Sequence, residues 1–417
     1  MHNHRTTWLR EVPDDWRITT IGSLYTLRNE KVSDKDYPPL SVTMKGIVPQ
    51  LESAAKTDDG DNRKLVKVGD FVINSRSDRR GSCGISAYDG SVSLINTILT
   101  PREAMHPGYY NWLFHTAAFA DEFYKWGHGI VDDLWTTRWQ EMKHIVVPVP
   151  SMEEQQAIAA YLDEQCALID EAIAAAKNSI EEYKAWKVSI IFNAVTKGLD
   201  KKVEFKESGI DWLGCIPSLW GCGKIKHFAS LSSGGTPKSD HREYYDGDIN
   251  WACSLDLSEN ELFETQNHLS EIGLKNCASA IQPVGTIVMA MYGGSGTIGN
   301  SAILCVSSAT NQALCCMKFD ERILDKYAFY YIRAIRKYWM IYAVGTRKDP
   351  NISQAIVGAM PMLLPSMQEQ IIIVDYLDYK LPLIESIISQ KEAAIADLES
   401  YKRSLIYEAV TGKRKVE

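Results

Sequence analysis

The chain has 417 residues, of which 45% are hydrophobic and 24% charged, a composition typical of a folded protein with more than one domain. Its net charge of −8 argues against holding nucleic acid by bulk positive charge alone. No apolar run reaches membrane-spanning length, the N-terminal residues lack the apolar core of a signal peptide, and the nine cysteines form no CxxC pair. We therefore expect a cytoplasmic protein with free thiols, without a zinc site, a disulfide framework or membrane contact.

The chain opens with a segment that it later repeats. WLREVPDDW matches WLGCIPSLW, so that Trp16 corresponds to Trp220 at an offset of 204 residues. Each copy begins a globular region, which we call the first head (residues 1–149) and the second head (residues 210–364). The chain is therefore predicted to be a duplicated unit whose two heads have diverged.

A strand–loop–strand piece recurs inside the heads. In the first head the apolar run 68–74 leads into the loop 75–84, and in the second the run 284–291 leads into the loop 292–299. Asn96 and Asn311 follow these loops at an offset of 215 residues. The β-branched runs beside glycine turns predict strands, and the aromatic stretches after them predict helices. Both heads are predicted to be α+β domains.

A long helical run follows each head, at 150–196 and again at 365–411, which restores the offset of 215 without a gap. Both runs open with a capping box, in which Ser151 precedes Glu154 and Ser366 precedes Glu369 by three residues. Apolar residues then recur at steps of three and four, as they do along the seam of a coiled coil.

Two lysines, Lys187 and Lys402, interrupt this seam at matching places, and each run ends at a glycine, Gly198 or Gly412. A polar seam residue costs stability but fixes register and partner. The alternative is two unrelated surface helices on separate domains, against which the matched register argues.

The predicted fold is α+β: two globular α+β heads, each followed by a long helix, with the two helices pairing as an antiparallel coiled coil of pseudo-twofold symmetry. The predicted boundaries are 1–149 for the first head, 150–198 for helix one, 199–209 for a charged linker, 210–364 for the second head, 365–412 for helix two and 413–417 for a basic tail.

Motifs of enzymatic chemistry are weak. Gly294, Gly296 and Gly299 formally match a dinucleotide fingerprint, but an apolar run typical of a strand follows them where a helix is required. SGGTPK lacks the GK[ST] ending of a phosphate-binding loop, and the sequence has no HExxH and no methyltransferase motif. We expect no catalytic residue and no metal site in this chain.

The loops instead carry side chains suited to recognising DNA. Arginine binds guanine or phosphate with two parallel hydrogen bonds, and asparagine or glutamine can pair with adenine. In the first head the candidates are Ser75, Arg76, Arg79, Arg80, Asn96, His128, Trp135 and Arg138. In the second they are Tyr292, Gly293, Gly294, Ser295, Asn311, Gln312, Arg347, Lys348 and Asn351. For each residue the alternative is a solvated loop or a local turn contact.

The pattern resembles the specificity (S) subunit of type I restriction–modification systems over essentially the whole chain. The resemblance is carried by the two PSMxEQ…YLD…NAVT and EAVT helices, the SGGTPK…YYDGDINW and YGGSGTIGNSAIL…TNQ segments, and the WLGxIPxxW opening. It adds Thr236 and Lys238 of SGGTPK to the DNA-contact candidates. The first head lacks this segment.

This resemblance implies that the heads are target-recognition domains and the helices conserved regions of a non-catalytic DNA-binding subunit. Its partners would be double-stranded DNA, two adenine methyltransferase (modification) subunits and restriction/translocase subunits. S-adenosylmethionine, ATP and magnesium would belong to those partners, and this chain would hold no cofactor.

Helix length suggests how such a subunit would meet DNA. A helix of about 45 residues is roughly 65–70 Å long, or about two turns of DNA at roughly 34–36 Å each. Two unlike heads at this spacing would bind an asymmetric, two-part site with an unread gap. Two other classes stay open: a coiled-coil scaffold that binds proteins, and a specificity factor of a related methylation-linked defence system.

Overall fold

A computed structural model of the protein describes residues 8–9, 11–51, 60–76, 79–129, 135–292, 296–342 and 351–416. The chain divides into two compact units. Unit one consists of Met1–Lys177 with Lys391–Glu417, and unit two is Asn178–Gln390. Each unit thus contains one head and a segment of both long helices.

The first head is built from short strands and helices in one mixed domain. Its strands are β1 (Arg17–Thr20), β2 (Tyr25–Arg28), β3 (Lys31–Val32), β4 (Leu40–Thr43), β5 (Gly46–Pro49), β6 (Arg63–Val66), β7 (Phe71–Asn74), β8 (Cys83–Ile85), β9 (Gly90–Val92), β10 (Asn96–Pro101) and β11 (Val146–Val149). Its helices are α1 (Ile21–Leu24), α2 (Pro107–Phe114), α3 (Ala117–Lys125) and α4 (Trp139–Met142).

The main sheet of the first head is antiparallel and has the order β2-β10-β7-β8. All four residues of β7 are buried, as expected for a strand with neighbours on both sides, and the first three, residues 71–73, are apolar. Phe71 of β7 stacks on Phe114 of α2, with ring centroids 4.1 Å apart. Smaller sheets, β3-β6-β9, β4-β5 and β1-β11, complete the head.

The first long helix, α5 (Met152–Lys197), has 46 residues. Its capping box is formed as predicted: the N–H and hydroxyl of Ser151 donate to Glu154 Oε2 at 2.9 and 2.8 Å, and the Glu154 N–H donates back to Ser151 Oγ at 3.3 Å. The helix ends before Gly198, which has a φ of 72°.

The second head has the same kind of architecture, with as many described strands as the first head and one further strand, β12, just before residue 210. These are β12 (Phe205–Glu207), β13 (Cys215–Pro217), β14 (Gly221–Lys224), β15 (Ala229–Ser233), β16 (Tyr245–Ala252), β17 (Asn260–Leu262), β18 (His268–Leu269), β19 (Ile287–Ala290), β20 (Ser301–Leu304), β21 (Ala309–Thr310), β22 (Leu314–Phe319) and β23 (Pro361–Leu364). The helices are α6 (Glu271–Lys275), α7 (Asp325–Ala334), α8 (Trp339–Tyr342) and α9 (Gln354–Ala359), with short 3-10 turns at Ile225–His227, Arg242–Tyr244, Ser254–Asp256 and Arg336–Tyr338.

The main sheet of the second head has the order β15-β22-β19-β20-β17, in which only the β17–β20 pair is parallel. The other sheets are β18-β16-β21, β14-β23 and β12-β13. Residues 199–209, predicted as a linker, include β12, which pairs with β13 from Phe205 opposite Pro217. The charged segment therefore contains an exposed strand, whose partner β13 has Ile216 and Pro217 buried.

The second long helix, α10 (Met367–Val410), has 44 residues and repeats the capping box of α5. The N–H and hydroxyl of Ser366 donate to Glu369 Oε2 at 3.1 and 2.8 Å. Pro382 lies inside the helix, although the periodicity of the apolar residues shows no break there. A proline there removes one backbone donor, yet the helix continues on both sides of it.

Within each unit the two helix segments run antiparallel and are linked by an ion pair from a seam lysine. In unit one Lys402 Nζ donates to Asp170 Oδ1 at 2.7 Å, and Lys177 Nζ lies 4.0 Å from Glu399 Oε1. From the first pair to the second, the residue number rises along α5 and falls along α10, as it must for antiparallel segments. In unit two Lys187 Nζ donates to Glu385 Oε1 at 2.6 Å.

Each head is fastened to the start of one long helix and to the end of the other. In unit one the Trp16 indole donates to Glu154 at 3.0 Å, and the Tyr109 hydroxyl donates to the carbonyl of Val410 at 2.9 Å. In unit two Trp220 donates to Glu369 at 3.0 Å, and Tyr327 donates to the carbonyl of Val195 at 3.2 Å. None of the helices within the described ranges is long and apolar enough to cross a membrane.

Candidate nucleic-acid interface

The candidate site of the first head lies where β7 ends and β10 begins. Here the backbone of Arg76 forms an isolated bridge with Thr136, whose backbone also pairs with His128 through two bonds of 3.0 Å. The N–H of Thr137 donates to the carbonyl of Ser75 at 3.0 Å. The structure thus brings together segments around 75, 128 and 136 that the sequence separates. Arg76 and His128 are exposed on this surface.

The second head has the same arrangement after β19. Tyr292 forms an isolated bridge with Asn351, and the Ile352 N–H donates to the carbonyl of Met291 at 2.8 Å. Asn351 follows Thr136 by the repeat offset of 215, and both Tyr292 and Asn351 are exposed. The two heads therefore share one backbone frame but present different side chains from it.

The SGGTPK segment lies beside the amide pair of the second head. The Thr236 hydroxyl donates to the side-chain oxygen of Gln312, and the Gly235 N–H donates to the carbonyl of Thr310 at 3.0 Å. A Cβ atom at Gly234 would lie 1.7 Å from that Thr310 oxygen, so this close approach of two chains requires glycine. Thr236, Lys238 and Gln312 are all exposed. Lys238 follows Thr236 by two residues, and Gln312 is the hydrogen-bond partner of Thr236.

Several predicted contacts have structural roles in the folded chain. Asn96 is buried, and its amide donates to the carbonyl and hydroxyl of Ser93, both at 3.1 Å. The side-chain oxygen of Asn311 accepts from the Ala313 N–H at 3.1 Å. Ser75 is buried with its hydroxyl 2.9 Å from that of Thr97. For these three residues the geometry favours the local turn contact over a DNA contact.

The remaining predicted residues of the first head are more exposed. Trp135 is half-buried: its ring stacks on Tyr124 at a centroid distance of 5.5 Å, and its indole donates to the Tyr124 carbonyl at 2.9 Å. Arg79 and Arg138 are exposed, whereas Arg80 forms an ion pair with Asp121.

Five predicted residues of the second head lie outside the described part of the chain, namely Gly293, Gly294, Ser295, Arg347 and Lys348.

Two of the thiols, those of Cys83 and Cys315, are buried in the cores of the heads. Burial raises the pKa of the Cys83 and Cys315 thiols to about 12 in each case, so both are protonated at neutral pH. Among the described residues no group of three or more His, Cys, Asp or Glu side chains is arranged to hold a metal ion. The glycine motif around Gly299 is followed by strand β20, which argues against a dinucleotide site.

Four residues beside the loops carry contacts that the motif search does not single out: Asp121, Thr136, Glu259 and Arg336. Glu259 has a φ of 57°, unusual for a residue other than glycine, and it accepts hydrogen bonds from two arginines. The repeat offset is the one signal that points to any of them, because Arg336 follows Asp121 by 215 residues.

Comparison with known proteins shows which proteins this chain is similar to. The family described as the type I restriction modification DNA specificity domain matches residues 217–396. Two specificity subunits of type I restriction enzymes from Methanocaldococcus jannaschii are similar. The MjaIX subunit is 28% identical over 195 residues, 46% of this chain and 44% of that subunit. The putative MjaX subunit is 21% identical over 99% of this chain and 97% of its own length. This chain thus spans less than half of MjaIX and nearly all of MjaX.

Solved structures agree over the whole length. One chain, from a study of complex assembly and conformational transition of a type I restriction–modification system, superposes with a TM-score of 0.76 and 12% identity, covering 96% of this chain and 98% of that one. The HsdS subunit of Thermoanaerobacter tengcongensis superposes with a TM-score of 0.59 and 15% identity, covering 97% and 98%. The predicted fold class and the resemblance to type I specificity subunits are confirmed.

Proposed function

We propose that this chain is the sequence-specific DNA-recognition subunit of a type I restriction–modification complex, and that it is itself non-catalytic. The observation that carries the proposal is the shared frame of the two heads. At matching places one head presents Arg76 beside Thr136 and the other presents Tyr292 beside Asn351. A repeated frame with different exposed side chains is what two recognition domains for two different DNA sequences require.

The long helices support a two-part target. They have 46 and 44 residues, or about 65–70 Å at roughly 1.5 Å per residue. We infer that the two heads bind two half-sites of an asymmetric sequence, separated by a gap that neither head contacts. The helices would then determine the length of the gap, and the loops would determine the bases.

Exposed apolar side chains on the helices support two equivalent partners. In unit one Leu168 and Tyr401 are 55% and 49% exposed, and in unit two Leu383 and Trp186 are 46% and 49% exposed. The two pairs are related by the repeat offset of 215. Apolar groups of this size on a charged helix surface are typical of protein contacts. We assign these two places to the two adenine methyltransferase subunits, with restriction/translocase subunits joining the same complex.

The partners would also account for the net charge of −8. A subunit that neutralised DNA phosphates alone would gain from a positive charge, whereas a methyltransferase that surrounds the DNA can supply the phosphate contacts. S-adenosylmethionine, ATP and magnesium are accordingly placed on the partner subunits, and the complex in the cytoplasm, where its DNA lies.

The test is methylation mapping in a host that expresses this chain with the methyltransferase encoded beside it. We expect a two-part motif methylated on adenine, which disappears when this chain is omitted. If the two proteins co-purify and no motif appears, the chain is a protein-binding scaffold and the proposed function is wrong. If the motif appears without any restriction subunit nearby, the chain serves a related methylation-linked defence system.

A further inference from the structure

In both heads a helical segment lies against the loop that follows the central strand. We call residues 75, 76 and 79–84 recognition loop one and residues 292 and 296–299 recognition loop two. The helix positions that contact them are related by the repeat offset of 215: Asp121 corresponds to Arg336, and Tyr124 corresponds to Trp339. The same two places thus support both loops, but with different chemistry.

In the first head the helix supplies an anion to a cationic loop. Asp121 on α3 forms an ion pair with Arg80 of recognition loop one. The Arg80 guanidinium also lies over the ring of Tyr124, 5.4 Å from its centroid. Tyr124 in turn stacks against Trp135, next to the bridge that pairs Thr136 with Arg76. The loop is therefore attached to the α3 side of the frame through Arg80.

In the second head the charge is reversed, because the helix supplies the cation. Arg336 donates to the backbone carbonyl of Gly296 in recognition loop two at 2.7 Å and to Glu259 at 2.6 Å. Glu259 also accepts from Arg333 at 3.0 Å. A Cβ atom at Gly299 would lie 2.8 Å from the Trp339 ring, so the loop packs closely on this helix position.

The two loops also turn in the same way at the point of attachment. Gly81 and Gly296, again 215 residues apart, have φ values of 75° and 89°, in the left-handed region that favours glycine. Hydrogen bonds to base edges need donor and acceptor at about 3 Å with good alignment, so a small displacement of the loop removes them.

We propose that Asp121 and Arg336 are positioning residues, which hold recognition loops one and two so that other residues of each head meet the DNA bases. This inference rests on the proposed function. It assigns Arg80 to loop attachment and leaves Arg76, which is exposed on the same frame, among the arginines of the first head that can contact bases. It also places an arginine of the second head, Arg336, beneath the loop instead of on the DNA.

The strengths of the two attachments differ. The side chains of Arg80 and Asp121 are 49% and 53% exposed, and such surface ion pairs contribute little to global stability. Arg336 and Glu259 are 36% and 25% exposed, and Arg336 holds both a carboxylate and a loop carbonyl. Hydrogen bonds of charged groups in such partly buried places are stronger. Loss of Arg336 should therefore have the larger effect on recognition.

The experiment maps methylation by the full chain with its methyltransferase. The variants are Asp121→Asn, the charge exchange Arg80→Asp with Asp121→Arg, Arg336→Leu and Arg336→Lys. We expect Asp121→Asn to lower methylation of the native motif about two- to fivefold and to relax one half-site. Arg336→Leu should lower it about tenfold or more and relax the other half-site, with partial recovery in Arg336→Lys. The charge exchange should restore most of the native selectivity.

The outcomes separate positioning from other roles. Asp36→Asn and Lys275→Ala, exposed charges of the first and second heads, are matched controls that should behave as wild type. If the charge exchange restores no more methylation of the native motif than Asp121→Asn retains, Arg80 contacts DNA directly and the inference fails for the first head. If Arg336→Leu weakens both half-sites equally, it acts on the fold and the inference fails for the second. A wild-type chain that gives no motif refutes the proposed function instead.

Discussion

Lys187 donates a hydrogen bond from Nζ to Oε1 of Glu385, 2.6 Å away on the other long helix of unit two. The equivalent pair in unit one joins Lys402 to Asp170 at 2.7 Å. Each lysine interrupts an apolar seam and finds its carboxylate 198 or 232 residues away in the chain. The pairs are repeated with the offset of 215, so the same polar contact fixes the helix register in both units.

Replacing both seam lysines by leucine should stabilise the protein. The two ion pairs are partly exposed and stabilise the fold by at most about 1 kcal/mol each. Leucine side chains in the seam would bury more apolar surface. We expect the free energy of unfolding of Lys187→Leu/Lys402→Leu to rise by about 1 kcal/mol, measured by urea unfolding. Arg403→Leu, an exposed change next to Lys402, should have little effect. A lower stability of the double variant would contradict the prediction.

The capping glutamates should make stability depend on acid pH. Burial raises the pKa of the Glu154 and Glu369 carboxyls, but hydrogen bonds from the tryptophan indoles and from Ser151 and Ser366 outweigh it, so that both pKa values are lowered. The stabilisation is complete above about pH 4.3, the pKa of an unfolded glutamate, and is lost as the pH falls through the lower folded pKa.

The double variant Glu154→Gln/Glu369→Gln should therefore be less stable than wild type at pH 7, by about 1–2 kcal/mol. The difference should shrink as the pH falls below about 4, where the native carboxyls protonate. Urea unfolding at both pH values measures it, with Glu153→Gln, in the same first turn, as the control. A difference that is constant between the two pH values would show that these carboxyls do not titrate as described.

The two glycines after the long helices should respond unequally to alanine. Both have positive φ values, 72° at Gly198 and 77° at Gly412, so alanine costs about 1 kcal/mol at either. At Gly412 the new Cβ would also lie 2.4 Å from Cδ of Pro13, whereas at Gly198 the nearest atom is Cζ2 of Trp220 at 3.2 Å. We expect Gly412→Ala to lower the melting temperature more than Gly198→Ala. Equal effects would mean that Pro13 moves freely.

Arg76 should determine one base of one half-site. Its backbone is held by the bridge to Thr136 and by a bond of 3.0 Å from its N–H to Asn74, so an exposed guanidinium starts from a fixed place. Arg76→Ala should lower the discrimination between bases at one position by about 1–3 kcal/mol and leave the selectivity for the other half-site unchanged. DNA binding by the methyltransferase complex across single-base variants measures this. If the substitution instead weakens binding equally for all DNA variants and reduces the salt dependence of binding, Arg76 contacts a phosphate.

Helix length should determine the gap between the half-sites. Inserting seven residues after Asn178 in α5 and after Ala393 in α10 keeps the seam in phase and adds about 10 Å, or roughly three base pairs. We expect the methylated motif to keep both half-sites and to gain that spacing. The matched control inserts seven residues in α5 alone, which breaks the pairing and should abolish methylation. An unchanged gap after the paired insertion would refute the spacing role of the helices.

Local and repeated features could be predicted from the sequence. The capping boxes at Ser151 and Ser366, the helix ends and the seam lysines follow from spacing, because helix geometry relates residues only three or four positions apart. The correspondence of Asn351 with the frame of the first head follows from the constant offset. These signals need no knowledge of the tertiary fold.

Contacts between distant segments could not be predicted. Glu259 lies 77 residues from Arg336, and its positive φ has no signature in the residues around it. Asn96 illustrates a different case: an amide after a strand is suited to bind adenine, and here it is buried and donates to Ser93. Whether an amide faces DNA or closes a turn is decided by burial, which single-sequence patterns do not report.

Unit one is assembled from two stretches of chain, Met1–Lys177 and Lys391–Glu417, whereas unit two is one continuous stretch. During synthesis residues 178–390 leave the ribosome before residues 391–417 do. We expect unit two to fold first, and the first head to wait with its side of α5 uncovered until residues 391–417 emerge. Limited proteolysis of ribosome-arrested chains would detect that delay as cleavage confined to unit one. The discontinuity would make the folding of the first head depend on residues that are synthesised last, unlike the folding of the second.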